Sequence, residues 1–322
     1  MRIGLLAGDP SGIGPEVAAR LLALRETLER ADVVLIGDRK VFLAGAAVAG
    51  AGAEAIAELP LIESVLPAEV PMAQVSKEAG AFTLGTLRAG AAAIQQGQIE
   101  ALVFAPLNKQ AMKLAGLQQE DEMHYFADLL GHTGLCSEIN VLSASGDAAL
   151  WTTRVTSHVP LRAVPDLITE DAVYNAIGLI DCVMRGERGD APRIAVAGLN
   201  PHAGEGGLLG TEEIRVIGPA VERARRDGIT VSGPYPADTL FIAARRGDFD
   251  AVVTMYHDQG QIATKLLGFE RGVTLQGGLP APITTPAHGT AFDIAGKGVA
   301  NVEPIREAFG LAWRMALRRS TC

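Results

Sequence analysis

Short apolar runs alternate with longer amphipathic stretches from the start of the chain. IGLLAG (3–8) leads into PEVAARLLALRETLER (15–30) and then DVVLIG (32–37), a strand, helix, strand order. The helix is well marked. Pro15 suits a first turn because its missing N–H would go unpaired there, while Glu16 meets the positive end of the helix dipole and Arg30 the negative end. Further strands are predicted at ALVFAP (101–106), EINVLSA (138–144), ALWTTRV (149–155), RIAVAGL (193–199) and DAVVTMY (250–256), with helices near 78–97, 170–185, 211–227 and 302–318. The alternation predicts an α/β fold of three layers, α/β/α. Polar clusters follow the strands: APLNK, TSHVP, GLNPHAGEGG and YHDQG. Ligands of open α/β sheets bind beyond the carboxyl ends of the strands, so the chemistry is expected there.

Composition narrows the class. A chain of 322 residues suits two domains of ordinary size. With 48% hydrophobic residues, 20% charged residues and a mean hydropathy of +0.21, it is neither disordered nor a coiled coil. The 28 Lys and Arg against 37 Asp and Glu leave a formal charge of -9, which argues against nucleic-acid and membrane partners, so any anion needs a local site. The opening run Ile3 to Ala7 is too short for a secretory signal, and the uncharged stretch 41–53 falls below the roughly 20 residues that span a bilayer. Cys136, Cys182 and Cys322 show no CxxC spacing, which speaks against a disulfide framework or a cysteine zinc site. A cytoplasmic location is the expectation.

Four stretches hold candidate chemistry. GDPSGIGPE (8–16) is not GxGxxG; its glycines either let backbone N–H groups cradle an anion or simply make a tight turn. His158, His202 and His257 each follow a predicted strand, 44 and 55 residues apart. Three neutral imidazoles can hold a metal and leave positions open for substrate oxygens, although a single such His also serves as an ordinary hydrogen-bonded loop residue. Asp238, Asp258 and Lys265 could orient a ligand, balance a cation or hold a carboxylate; the alternatives are a helix cap, a turn former and a solvated charge. In HGTAFDIAGKG (288–298), small residues would let the backbone approach a flat ligand while Asp293 accepts from ribose hydroxyls; otherwise it is a Gly-rich helix junction.

GDPSGIGPE, APLNK, SHVPL, GLNPHAGEGGLLGTEE, GPYPADTLF, MYHDQG and HGTAFDIAGKG together resemble the 4-hydroxythreonine-4-phosphate dehydrogenase family of vitamin B6 biosynthesis, from about residue 3 to 315. HGTAFDIAGKG is also similar to the nucleotide-binding turn of isopropylmalate and isocitrate dehydrogenases. The resemblance implies that fold, with two domains and the active-site cleft between them: residues 1–130 with 266–322 for the cofactor, and 131–265 for the metal and the dimer interface. It implies a homodimer in which His158, His202 and His257 hold one divalent metal, His257 reaching it from the partner chain. A small hydroxy acid, with or without a 4-phosphate, would be oxidised by NAD(P)+ and the β-keto acid then lose carbon dioxide. By ligand softness Zn2+ suits three imidazoles best, with Mg2+, Mn2+ or Co2+ also compatible with turnover. The resemblance makes Lys265 a substrate ligand, with Asp238 and Asp258 the accompanying catalytic candidates, and places His288, Gly289, Ala291 and Asp293 on the cofactor turn.

The departures from the family pattern concern the far end of the substrate. Thr274 stands for an Asn and Ile283 for an Arg, both substrate-binding in the family. Where a phosphate-binding His-Thr is expected, the chain has Glu122-Met123; a His132-Thr133 pair occurs later and either fills the role in a shifted register or leaves it vacant. A modified pocket is the expectation. The alternatives are a dehydrogenase of threonate or erythronate 4-phosphate or of a carboxylated cis-diol. A binding protein that kept the fold, or an acyltransferase on the same scaffold, is disfavoured by the three histidines.

Overall fold

The computed structural model describes residues 1–142 and 149–319. The chain forms two compact units: Met1–Gly134 joined by the chain from Val273 onward, and Leu135–Gly272 between them. The sequence reading cuts at 130 and 266. The second of those cuts would divide the His257–Gly268 helix, which stays whole with the inner unit.

The outer unit carries β1 (Arg2–Leu6), β2 (Asp32–Gly37), β3 (Leu61–Glu63), β4 (Ala101–Phe104), β10 (Gly272–Gly277) and β11 (Ile283–Pro286), in the order β3-β2-β1-β4-β11-β10. All pairings are parallel except that of β10 with β11. Helices cover both faces. Gly90 of the Lys77–Gln95 helix lies against Leu102, whereas Thr284, on the opposite face, donates to the Ala308 carbonyl of the Glu303–Arg319 helix at 2.9 Å. Strands buried on both sides must be apolar throughout, which is why IGLL, VVLI and ALVF read as unbroken runs.

The inner unit carries β5 (Ser137–Leu142), β6 (Leu150–Arg154), β7 (Ile194–Ala197), β8 (Val231–Tyr235) and β9 (Ala251–Thr254), in the order β5-β6-β9-β7-β8. Only β5 and β6 pair antiparallel. Ala195, Ala197 and Val252 face the Ala237–Arg245 and His257–Gly268 helices through Leu240, Phe241, Ala263 and Leu267. Residues 143–144 of the expected EINVLSA strand lie outside the described residues.

Two expectations change in detail, and one helix was not among those expected. The helix predicted over 15–30 is two, Gly14–Leu22 and Arg25–Arg30, because Leu24 is extended (ψ 114°). The break re-phases the buried stripe: Leu21 and Leu22 are inside before it and Thr27 after it. Nothing in Ala23-Leu24 signals a breaker. The 211–227 helix opens with a π turn, Glu213–Ile217, before Gly218–Arg226 becomes α-helical. Pro219 lacks the N–H that would continue an α ladder back into that turn. The uncharged stretch 41–53 lies largely in a helix, Arg39–Ala49, capped by Asp38 accepting from the Lys40 N–H at 2.9 Å. Gly45 admits it against the first helix, since a Cβ there would strike the Pro15 carbonyl. No helix among the described residues is long and apolar enough to cross a membrane.

One ion-pair cluster fastens the inner unit. Burial alone would raise the Asp250 carboxyl, but hydrogen bonds from the Arg193 side chain and backbone and from Arg188 outweigh it and hold its pKa at about 2. A carboxylate held below its unfolded value stabilises the fold above the unfolded pKa, and that contribution disappears as pH falls from about 4 through about 2. Asp250→Asn should therefore cost about 1–3 kcal/mol at neutral pH and flatten the acid limb of stability in that window. Urea unfolding followed against pH checks both.

Candidate functional site

The inner unit holds all three candidate metal ligands. His158 follows β6, His202 follows β7 and His257 begins the helix after β9; these three strands are parallel neighbours, so their carboxyl ends lie along one edge. The His158 and His257 rings lie side by side within one chain, centroids 5.6 Å apart. His257 Nδ1 is 2.7 Å from an Asp258 carboxylate oxygen, and His202 Nδ1 is 2.9 Å from Glu205. A carboxylate on Nδ1 fixes the tautomer with Nδ1 protonated and leaves Nε2 as the ligating nitrogen. Within one chain the structure brings His158 and His257 together, while His202 stands at the end of the next strand; imidazoles of this kind are divalent-metal donors. Asp258 is thus the neighbour that orients His257, while Asp238 is exposed in the first turn of its helix and makes no capping bond. Lys265 is exposed two turns beyond His257 on the same helix.

His202 stands on unusual backbone. His202, Ala203, Gly204, Glu205 and Gly206 all have left-handed φ, at 53°, 51°, 80°, 45° and 65°. For each of the three L-residues this costs roughly 1–2 kcal/mol, so something outside the loop must hold it. GLNPHAGEGG reads as a polar cluster after a strand; the left-handed course of its backbone and the support beneath it have no signal in the pattern.

In the outer unit the two Gly-rich turns meet. The Ile13 N–H donates to the Thr290 carbonyl at 3.0 Å, and a Cβ on Gly12 would come within 2.8 Å of Thr290 Cβ. The Ser11 N–H donates to Asp9 Oδ1 at 2.9 Å, and the Gly12 N–H to the Asp9 carbonyl. With these donors turned inward, GDPSGIGPE is a tight turn that seats its neighbour. The turn it seats is the cofactor candidate. Asp293 and Gly289 are exposed, and Ala291 takes a left-handed φ of 43° that folds the segment back on itself. Burial lowers the pKa of His288, whose Nδ1–H donates to the Gly289 carbonyl at 3.1 Å, so its ring is neutral at pH 7. A cavity of about 590 Å³ opens beside Gly12 and Gly296, walled by Val41, Val48 and Met72.

Two substrate candidates move. Ile283 is 0% exposed, at the start of β11 beside Leu102 of β4; it belongs to the core rather than to a pocket wall. Thr274 is half-buried and pairs across the ladder with Thr285. His132 and Thr133 follow Gly131, which caps the carboxyl end of the Glu122–Leu130 helix, whereas Glu122 begins it. Nine residues of helix separate the two places by about 13 Å, so His132-Thr133 does not stand where Glu122-Met123 stands. Glu122 is buried, its Oε2 3.5 Å from Lys109 Nζ, and neighbouring Asp121 accepts from the His124 N–H at 3.0 Å.

Residues 29–312 match the family described as pyridoxal phosphate biosynthetic protein PdxA. The chain belongs to that family. A Pseudomonas aeruginosa relative named "Putative 4-hydroxythreonine-4-phosphate dehydrogenase 2" is 48% identical over 99% of this chain and 98% of its own length. A Symbiobacterium thermophilum relative named "Putative D-threonate 4-phosphate dehydrogenase" is 36% identical over 99% and 98%. Among solved structures, the 4-hydroxythreonine-4-phosphate dehydrogenase of Klebsiella pneumoniae superposes with a TM-score of 0.81 at 36% identity, covering 98% of this chain and 99% of that one. A terephthalate 1,2-cis-dihydrodiol dehydrogenase from Burkholderia xenovorans LB400 gives 0.67 at 27% identity, covering 98% of both. An isocitrate dehydrogenase from Methylococcus capsulatus, at 17% identity and a TM-score of 0.52, shares the fold. Dehydrogenation is the activity common to these names, and this PdxA-family chain is an oxidoreductase of that kind.

Proposed function

We propose that the protein oxidises the hydroxyl of a small acid with NAD(P)+ in the presence of a divalent cation and releases the product after loss of carbon dioxide. The observation that carries this reading is the row of imidazoles at neighbouring strand ends, two of them backed by carboxylates on Nδ1. A cation held by His158, His202 and His257 would supply a Lewis acid that lowers the pKa of the substrate hydroxyl and stabilises the enolate left by decarboxylation. Asp258 and Glu205 keep their imidazoles oriented for it. Lys265 would hold the substrate carboxylate, and Asp238 would serve as a proton acceptor. Asp293 would accept from ribose hydroxyls, while Gly289 and Ala291 let the backbone come close to the dinucleotide beside His288.

A homodimer is part of the proposal. The inner unit exposes Leu208 (80%) and Leu266 (83%), with Ile214, Ile242 and Ile262 also open, side chains that a second copy of the chain could cover. That copy would also complete the metal site. With Glu122 and Ile283 at the positions where the resemblance expects a phosphate-binding His and a substrate-binding Arg, the substrate is read as other than a phosphate ester, which favours a carboxylated cis-diol over 4-hydroxythreonine or threonate phosphate. The test is reduction of NAD+ or NADP+, read in the near ultraviolet, with hydroxy acids and diol acids in Zn2+, Mg2+, Mn2+ or Co2+. Metal-dependent reduction that stops with strong chelator is expected. Binding of these acids without any reduction would instead support a protein that kept the fold and lost the chemistry.

A further inference from the structure

We infer that Glu213 is the positioning residue of the proposed metal site: its buried carboxylate holds the left-handed loop that presents His202. The inference rests on the metal reading above. Glu213 is 4% exposed, in the π turn that follows the loop. Its Oε1 accepts from the backbone N–H groups of Leu199 and Asn200, both at 2.7 Å, and its Oε2 accepts from the Asn200 side-chain amide at 2.9 Å. Leu199 and Asn200 are the residues immediately before Pro201-His202, so the carboxylate grips the strand exit from which the loop departs. It also sits beneath the loop's return. A Cβ on Gly204 would come within 2.7 Å of Oε2, and one on Gly198 within 3.1 Å of Oε1. The loop therefore wraps the carboxylate closely, and its glycines are the residues whose missing side chains allow that approach.

The neighbouring Glu212 accepts from the same Asn200 amide at 2.7 Å, which fixes the amide with its nitrogen toward both carboxylates. Only an acceptor on both oxygens satisfies this arrangement. A glutamine at 213 can still receive the two backbone N–H groups on its carbonyl oxygen, but its own NH2 then faces the Asn200 NH2, donor against donor. The π turn has a role in the same device. By widening one turn ahead of Pro219, it places Glu213 on the inward side of the segment while Ile214 remains exposed. Glu205 fixes the His202 ring and Glu213 fixes the backbone that bears it, so the imidazole is preset in both position and rotation.

The test is Zn2+ affinity by competition with a chromogenic chelator, together with amide hydrogen exchange of the metal-free protein, for wild type, Glu213→Gln, Glu213→Ala, His202→Ala and the His202→Ala, Glu213→Gln double variant. Loss of an outer-shell partner typically weakens metal binding about 10–100-fold. Glu213→Ala should fall in that range and Glu213→Gln should lose less, with faster exchange at Leu199 and Asn200 in both. In the His202→Ala background, Glu213→Gln should change affinity no further. Wild-type affinity and exchange in Glu213→Gln or folded Glu213→Ala overturns the inference, and so does an undiminished effect in the double variant. If Glu213→Ala fails to fold, the glutamine variant decides alone. Wild-type Zn2+ affinity in His202→Ala overturns the metal reading, while the exchange data still judge the positioning role separately.

Discussion

Replacing His202 with Ala should abolish turnover and bound metal together while leaving the fold intact, and mixing variant chains should then reveal which chain supplies each imidazole. The His158 and His257 rings touch within one chain, whereas the resemblance assigns His257 to the partner's site. Whether the touching pair is completed by the partner's copy of residue 202 or His257 itself crosses to the partner, His202→Ala chains mixed with His257→Ala chains recover activity, because one site of each heterodimer regains a full triad. The two arrangements differ for His158→Ala mixed with His257→Ala. If the touching pair serves one site, every heterodimer site lacks one of the two and no activity returns. If His257 crosses to the partner, one site in each heterodimer is rebuilt. Subunit exchange is verified by mass spectrometry of tagged chains, and kcat is the readout. Failure of the first mixture despite proven exchange would show that all three ligands come from one chain.

4-Hydroxythreonine 4-phosphate should be a poor substrate. Phosphate recognition needs cations or N–H donors, and a charge-assisted bond from an Arg contributes about 1.5–3 kcal/mol. The position where the resemblance expects that Arg is Ile283, and it is sealed in the core between β4 and β10. The position where it expects a phosphate-binding His is Glu122, a buried carboxylate that would repel a phosphate, with Lys109 already 3.5 Å from it. Loss of one contact alone weakens binding by roughly tenfold to a hundredfold at 1.4 kcal/mol per decade, and the carboxylate adds to that loss. Comparison of kcat/KM for hydroxythreonine phosphate, threonate and erythronate phosphates and unphosphorylated diol acids measures the effect. If hydroxythreonine phosphate is the best of these, at about 10⁴ M⁻¹s⁻¹ or above, the reading of positions 122 and 283 is wrong.

By itself the sequence determined the layered α/β class, because strands buried on two faces must be apolar without interruption, and IGLL, VVLI, ALVF and IAVA are so. It also determined that polar loops carrying His158, His202 and His257 follow β6, β7 and β9, since apolar runs and the clusters after them are local in the chain. Strands with mixed composition escaped it: GVTLQG, ITTP and VSGPY hold Gly, Thr and Pro, and only their neighbours in the sheet make strands of them. The break at Leu24 escaped it too, because what re-phases the helix is which side chains find room inside.

At the site, the same division holds. GLNPHAGEGG is legible as a polar cluster after a strand, but its left-handed run at His202 is not, and the donors that precede that run are gathered by Glu213, a residue of the next element. Ile283 reads as a pocket position by resemblance and is core by burial. His158 and His257 lie far apart in the chain and meet because β6 and β9 are adjacent and parallel, which brings their carboxyl ends to one edge. Local patterning decides what each segment becomes; which side chains share a site depends on strand order and on which face each residue turns inward, and those are properties of the packed whole.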